Sequence, residues 1–165
     1  MNEGKIGVQV SARNNTGGNR NKGQENRRGE MLDVAARIFS HQGYAGTSIR
    51  DIAREVGVQP SSLYYFFKSK EDLFVAVYEK GVNEIVNAVT KATTKAGTPW
   101  ARLERAATGH LEALLARDDY NTLVASIVPR GSTDFDRRLV QNRDDYEKLF
   151  VDLIADLPLP PRTDR

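Results

Sequence analysis

Residues 48–67, SIRDIAREVGVQPSSLYYFF, have the pattern of two short helices joined by a tight turn. Ser48 and Asp51 stand at the spacing of a capping box, which predicts that a helix begins there. Gly57 follows the last turn of that helix, where a left-handed conformation favours glycine. Pro60 suits the first position of a new helix, because its missing N–H costs nothing there. We therefore predict a helix-turn-helix.

The second of these helices has an inner and an outer face. Leu63 and Phe67 lie four residues apart and can be buried together. The outer positions carry hydroxyl and aromatic side chains: Ser61, Ser62, Tyr64 and Tyr65. Such a helix suits the groove and phosphates of DNA. Spacing alone also fits two ordinary helices of an α-helical domain that never touches DNA.

Composition limits the class of protein. With 165 residues, 39% of them apolar, the chain can form one domain or a small domain and a larger one. The absence of cysteine excludes disulfides and thiolate metal sites. No apolar run has the length of a membrane span or a signal peptide, so we expect a cytoplasmic protein that does not enter a membrane.

Catalytic and metal-binding patterns are missing from the sequence. It contains no G-x-S-x-G motif and no Gly-rich phosphate loop, and His41 and His110 share no metal-ligand spacing. The carboxylate pairs at 118–119 and 144–145 are adjacent residues, which point apart on a helix. We therefore expect no enzyme activity, no cofactor and no metal site.

Charge is distributed unevenly along the chain. Residues 1–70 hold 11 Lys and Arg against 6 Asp and Glu, whereas residues 71–165 hold 13 against 16. A basic front part and a mildly acidic remainder fit a nucleic-acid-binding head attached to a body with another task.

We divide the chain into three parts. Residues 1–26, rich in Asn, Gly and Arg, are predicted to be a disordered basic arm. This arm either contacts DNA phosphates or the minor groove, or is only a solvated leader. Residues 27–72 form a three-helix head, whose first helix runs from about residue 28 to 42 and ends before Gly43. Residues 73–165 form the helical body.

The body shows only helical signals. Further helices are predicted to begin at Ser69, at Thr98 and at Thr133, each followed by a capping residue or a proline at a suitable position. No stretch alternates in the manner of a strand. The predicted fold class is therefore all-α: a helix-turn-helix head followed by a helical regulatory body.

The residues of the head resemble the N-terminal signature of the TetR (tetracycline repressor) family over about residues 30–75. The matching motifs are GY at 43–44, TSIRDIA at 47–53, VGV at 56–58, LYY at 63–65 and FKSKEDL at 67–73. This resemblance implies a DNA-binding regulator of transcription and says little about the body, where that family diverges.

The resemblance also implies which residues contact DNA. Thr47 or Ser48 would contact phosphate, and Arg50 would point towards DNA. The residues facing base edges would be Gln59, Pro60, Ser61 and Ser62. Tyr64 and Tyr65 would reach backbone or bases, and Lys70 a phosphate, with Lys68 beside it. Hydroxyls and Lys suit positioning, and Gln and Arg can read bases. Pro60 stands where that family often has a polar residue, so the target sequence cannot be transferred.

In the TetR family the body binds a small effector and carries the dimer interface. The expected partners are thus a palindromic double-stranded operator, an unknown small molecule and a second copy of the chain. Large rings with polar tips suggest an effector site, which gives five candidates: Trp100, His110, Tyr120, Phe135 and Tyr146. Each of them can instead be an ordinary core or rim residue.

The sequence ends soon after a Pro-rich stretch, where the family would lead us to expect one or two more helices. Two functional interpretations therefore stay open. The first is a repressor released by an effector. The second is a truncated DNA-binding protein without effector control or stable dimerisation.

Overall fold

The computed structural model describes residues 17–116, 118–127 and 133–159, with side chains from residue 22 onward. Within these ranges the chain forms α-helices and no strand, which confirms the all-α prediction. The helices are α1 Gly17–Gly46, α2 Ile49–Val56, α3 Pro60–Phe66, α4 Lys70–Thr93, α5 Pro99–Leu115, α6 Asp119–Ser126 and α7 Asp134–Ala155. None of the helices described is both long and apolar enough to cross a membrane.

Helix α1 is longer than the sequence predicts. It begins at Gly17, so residues 17–26, predicted to belong to a disordered arm, are helical; residues 1–16 lie outside the described part. Side chains 22–26 are all exposed, so this part of the helix has no buried face that an apolar stripe in the sequence could reveal. Helix propagation costs little once a buried segment has nucleated it. The helix is kinked at Gly43, which adopts φ 71°, at the position where the sequence predicted that the first helix would end.

The helix-turn-helix forms as predicted. The Ser48 side chain accepts from the Asp51 N–H, and the Asp51 side chain accepts from the Ser48 N–H, which completes the capping box of α2. Gly57 adopts φ 75°, and Pro60 occupies the first turn of α3. Leu63, fully buried, anchors α3 against the head. These local signals fix where α2 ends and α3 begins.

The hydrophobic core runs from the head into the body through α4. Phe39 of α1 and Leu63 of α3 are buried in the same cluster as Phe74 of α4, Leu123 of α6 and Leu139 of α7. A smaller cluster packs the far part of α4 against α5 and α7, around Ile85, Val89, Ala106 and Leu153. Helix α4 thus supports both the head and the body.

Helices α4 and α6 approach closely at Gly81. A Cβ atom at this position would lie 2.8 Å from Val124 Cγ2 and 3.1 Å from the Tyr120 carbonyl oxygen. Only a residue without a side chain leaves room for this contact. The close approach brings α6 against the α1–α4 pair.

Polar contacts also join α6 and α4 to α1. Asp33 accepts hydrogen bonds from Lys80 Nζ and from the Tyr120 hydroxyl, both at 2.7 Å. Burial raises the pKa of Asp33, but these two hydrogen bonds and the Lys80 charge outweigh it and hold that pKa below its ordinary value. Ser40 donates to Asp119 Oδ1 at 2.8 Å. The head is therefore fixed to the body through named side chains as well as through the core.

Candidate nucleic-acid interface and open cavity

Seven of the eleven predicted DNA-contacting side chains are exposed on or beside α2 and α3, and we call this set the α3 face. It consists of residues on and beside α2 and α3 whose side chains are exposed: Ser48, Arg50, Gln59, Ser61, Tyr64, Tyr65 and Lys68. Pro60, Ser62 and Lys70 are partly buried. Tyr65, 73% exposed, projects farthest among the tyrosines of α3. Leu63 anchors the opposite side of α3 in the core, so the outer side chains of α3 stay exposed.

Thr47 does not lie on the α3 face. Its side chain is only 3% exposed, and its hydroxyl donates to the Gly43 carbonyl oxygen at 2.8 Å. This bond satisfies a carbonyl at the end of α1. Of the predicted pair Thr47 or Ser48, only Ser48 therefore presents its side chain at the surface. Residue spacing in the sequence could not show that Thr47 is buried, because its burial depends on how the chain turns after Gly43.

Lys70 has a structural role that the sequence did not indicate. Its Nζ donates to the carbonyl oxygens of Tyr44 and Thr47, at 2.9 and 3.0 Å, and lies 4.1 Å from the centre of the Tyr44 ring. Two of its three N–H donors are thus used inside the protein. Lys68 is exposed. Between the two lysines, Lys68 is the better placed for a phosphate.

The N-terminal turns of α1 adjoin α3. Gln24 Nε2 donates to the Tyr65 hydroxyl at 3.3 Å, and the Arg28 guanidinium lies 5.2 Å from the Phe67 ring centre. Arg27 lines a shallow cleft together with Ser61 and Tyr65. The sequence did not single out Gln24. Its contact joins segments 41 residues apart, which no local pattern reports.

The body contains a cavity of about 590 Å³ between α4, α5, α6 and α7. This volume falls in the range of small-molecule sites, about 300–1,000 Å³. Aliphatic and aromatic side chains dominate its lining, and the described lining residues are Tyr78, Val82, Ile85, His110, Leu114, Val124, Ala125, Ile127, Arg143, Tyr146, Glu147, Phe150, Val151 and Ile154. Two of the five predicted effector residues, His110 and Tyr146, are among them.

His110 and Tyr146 form the polar part of the cavity wall. The Tyr146 hydroxyl and His110 Nδ1 share a hydrogen bond of 2.5 Å, and the Phe150 ring contacts both rings edge-on. Burial lowers the pKa of His110 and raises the pKa of Tyr146 to about 12. Both side chains are therefore neutral at pH 7.

The other three candidates do not line the cavity. Trp100 is 55% exposed in the first turn of α5. The Tyr120 hydroxyl donates to Asp33, and burial together with this contact raises the pKa of Tyr120 above its ordinary value. The Phe135 ring stacks on Tyr44, with centroids 5.3 Å apart. The structure thus assigns Tyr120 and Phe135 to contacts between body and head.

The sequence prediction missed most of the cavity. On α7, Arg143, Tyr146, Glu147 and Phe150 recur at helical spacing and share one face. That spacing was visible in the sequence, but among the four only Tyr146 was predicted as a site residue. Tyr78 of α4 also lines the cavity, and burial raises its pKa. Its position among core residues gave no sequence signal.

Helix α7 connects the cavity to the head. Its first turns carry Phe135, stacked on Tyr44, and Arg138, whose Nη1 lies 2.6 Å from Asp72 Oδ1 at the start of α4. Its later turns carry Tyr146 and the other cavity residues. One rigid element therefore touches both places.

An exposed α3 on a helix-turn-helix head, joined to a helical body with an apolar cavity, defines the class of helix-turn-helix regulators. The family model of bacterial regulatory proteins of the tetR family matches residues 31–77. The HTH-type transcriptional repressor KstR2 of Mycobacterium tuberculosis is 31% identical over 144 residues, which cover 80% of this chain and 67% of that protein. The chain belongs to the TetR family.

Other relatives match shorter parts or the fold. The HTH-type transcriptional regulator AcrR of Shigella flexneri is 44% identical over 62 residues, which cover 38% of this chain and 28% of AcrR. A solved TetR-family regulator from Streptomyces coelicolor A3 superposes with a TM-score of 0.61 at 28% identity, covering 76% of this chain and 62% of that one. The chain thus spans only part of the length of these relatives.

Proposed function

We propose that this protein is a sequence-specific DNA-binding repressor of transcription that binds a palindromic operator as a homodimer in the cytoplasm. The observation that carries the proposal is the α3 face, where seven predicted contact residues lie exposed around one anchored helix. The similarity to KstR2, which is named a transcriptional repressor, supports the direction of regulation.

The chemistry of the α3 face suits both parts of DNA recognition. Gln59 and Ser61, at the start of α3, would reach base edges in the major groove, where an amide can pair with adenine. Lys68 would contact a phosphate beside α3, which positions the protein without reading sequence. In a dimer, two such helices about 34 Å apart would enter successive major grooves.

We further propose that a small effector occupies the cavity and releases the protein from DNA. An effector can shift the equilibrium only by its different affinities for the two states. Helix α7 offers the coupling, because Tyr146 lines the cavity while Phe135 and Arg138 contact the head. A change in the position of α7 would then alter the angle of the head.

The first experiment is capture of sheared genomic DNA from the source organism by the purified protein at physiological salt, followed by sequencing. We expect a few enriched fragments that share an inverted repeat, bound by two protomers. Gln59→Ala should relax discrimination at one position of each half-site by about 1–3 kcal/mol. Binding without enrichment, by a monomer and fading uniformly as salt rises, would refute specific repression and leave only electrostatic attraction.

A further inference from the structure

The charged groups of the cavity lie together on α7. Among the described lining residues, Arg143 and Glu147 alone carry formal charges at pH 7. Arg143 Nη2 lies 3.0 Å from Asp144 Oδ1, and its Nε lies 3.3 Å from Glu147 Oε1. All three side chains are partly exposed, between 38% and 61%, so this cluster forms part of the cavity mouth.

The cluster does not offer a site for an anion. One guanidinium faces two carboxylates, so the mouth carries a net negative charge, and Arg143 already directs its Nε–H and one Nη2–H at these carboxylates. A carboxylate ligand would be repelled by Asp144 and Glu147. A cation would be attracted to the mouth but would lose its hydration against the apolar wall farther in, which costs more than an exposed ion pair returns.

The neutral polar pair inside the cavity offers one hydrogen bond to a ligand. Between them, neutral His110 and Tyr146 carry one imidazole N–H and one O–H, and their mutual hydrogen bond uses a single donor. Whichever tautomer His110 adopts, one donor stays available. A ligand oxygen that accepts this donor would leave the rest of the ligand against aliphatic side chains and Phe150.

We infer that the effector is an uncharged, largely apolar molecule with a hydroxyl or carbonyl oxygen that accepts a hydrogen bond from the His110–Tyr146 pair. This inference rests on the proposed effector site and specifies its ligand class. It excludes carboxylates and amines of the same carbon skeleton as good ligands. The Arg143 cluster supplies the selectivity against carboxylates, and the apolar wall supplies both the affinity and the selectivity against amines.

The test compares three probes with one carbon chain: 1-decanol, decanoate and decylamine, titrated into the full chain by calorimetry at pH 7. We expect 1-decanol to bind about tenfold more tightly than decanoate, the size of a single charge–charge repulsion at partly exposed distances. We expect it also to bind more tightly than decylamine, because the ammonium group would lose its hydration against the apolar wall. Tighter binding of decanoate or decylamine would overturn the inference, and so would no binding of 1-decanol. Neither result affects the conclusion on DNA binding, which the operator-capture experiment tests separately.

A charge variant makes the test specific to the cluster. The double substitution Asp144→Asn, Glu147→Gln leaves Arg143 without its carboxylate partners and should raise decanoate affinity about tenfold. Asp145→Asn is the matched control, because Asp145 is a neighbouring exposed carboxylate that pairs with Gln141 instead. If the double substitution and Asp145→Asn change decanoate affinity equally, the cluster is not the source of selectivity against anions.

The polar pair is tested by a variant that keeps both rings aromatic. His110→Phe, Tyr146→Phe removes the donor and should lower 1-decanol affinity roughly threefold to tenfold, the value of one neutral hydrogen bond. Trp100→Phe, an aromatic change on α5 outside the cavity, should leave it unchanged. Unaltered 1-decanol affinity in the double variant, with its melting temperature retained, would overturn the assignment of the pair.

Discussion

Replacing Lys70 by Met should destabilise the head more than it weakens individual DNA contacts. The Lys70 ammonium group donates to the carbonyl oxygens of Tyr44 and Thr47, and it lies over the Tyr44 ring. These contacts fix the segment between the kink at Gly43 and the first turn of α2. Methionine keeps the apolar stem of the side chain and removes only the charged donors.

The magnitude follows from the interactions that the substitution removes. A hydrogen bond from a charged donor is worth about 1.5–3 kcal/mol, and a partly exposed cation–π contact about 0.5–1 kcal/mol. Because Lys70 is only partly buried, water can replace some of this, so we expect the free energy of unfolding to fall by about 2–4 kcal/mol. For a chain of this size that corresponds to a fall in Tm of roughly 4–16 °C.

Lys68→Met is the matched control, since it is the same substitution on an exposed lysine two positions away. Chemical denaturation should show Lys68→Met at wild-type stability and Lys70→Met well below it. Operator titrations at several salt concentrations should show that Lys68→Met, and not Lys70→Met, weakens DNA binding. The slope of log affinity against log salt concentration should be lower by about one for Lys68→Met. If Lys70→Met is as stable as the wild type and has the lower salt slope, Lys70 is a phosphate contact and the structural account fails.

Three further predictions test the packing within the body and its contacts with the head. Gly81→Ala should cost about 1–3 kcal/mol in denaturation, because its Cβ would lie 2.8 Å from Val124 Cγ2; an unchanged midpoint would contradict the close approach. Phe135→Ala should preserve operator binding but reduce its response to effector, measured as the operator Kd with and without ligand; an undiminished response would remove α7 from the coupling. The pKa of Asp33 is lowered in the fold, so the ionised carboxylate stabilises the protein above its ordinary pKa, and this contribution is lost as pH falls through the folded pKa. The difference in the free energy of unfolding between wild type and Tyr120→Phe should therefore disappear in acid. A difference that does not depend on pH would refute the Asp33–Tyr120 linkage.

Local signals were sufficient for the helix-turn-helix and for the starts of three later helices. The Ser48–Asp51 capping box, the left-handed Gly57 and Pro60 in the first turn of α3 involve residues a few positions apart, and each adopts the predicted conformation. The starts of α4, α5 and α7 at Ser69, Thr98 and Thr133 were predicted by the same reasoning. Such features are decided by backbone hydrogen bonds over three or four residues, which a single sequence displays.

Long-range contacts decided the rest. Thr47 and Lys70 carry the residue types of DNA contacts, but the turn after Gly43 directs both towards backbone carbonyls. Helical residues 17–26 have no apolar stripe, and the Gln24–Tyr65 hydrogen bond beside α3 joins distant segments. No periodicity encodes such pairings.

The sequence by itself determined the all-α class, the helix-turn-helix and the chemistry of the α3 face, because caps, turns and amphipathic spacing are local. Only the tertiary structure decided which rings meet in the body. It placed His110 opposite Tyr146 in a cavity, and it placed Tyr120 and Phe135 against the head. The physical reason is that a cavity is formed by side chains from four helices, whose relative positions depend on close packing at residues such as Gly81 rather than on the spacing within any one helix.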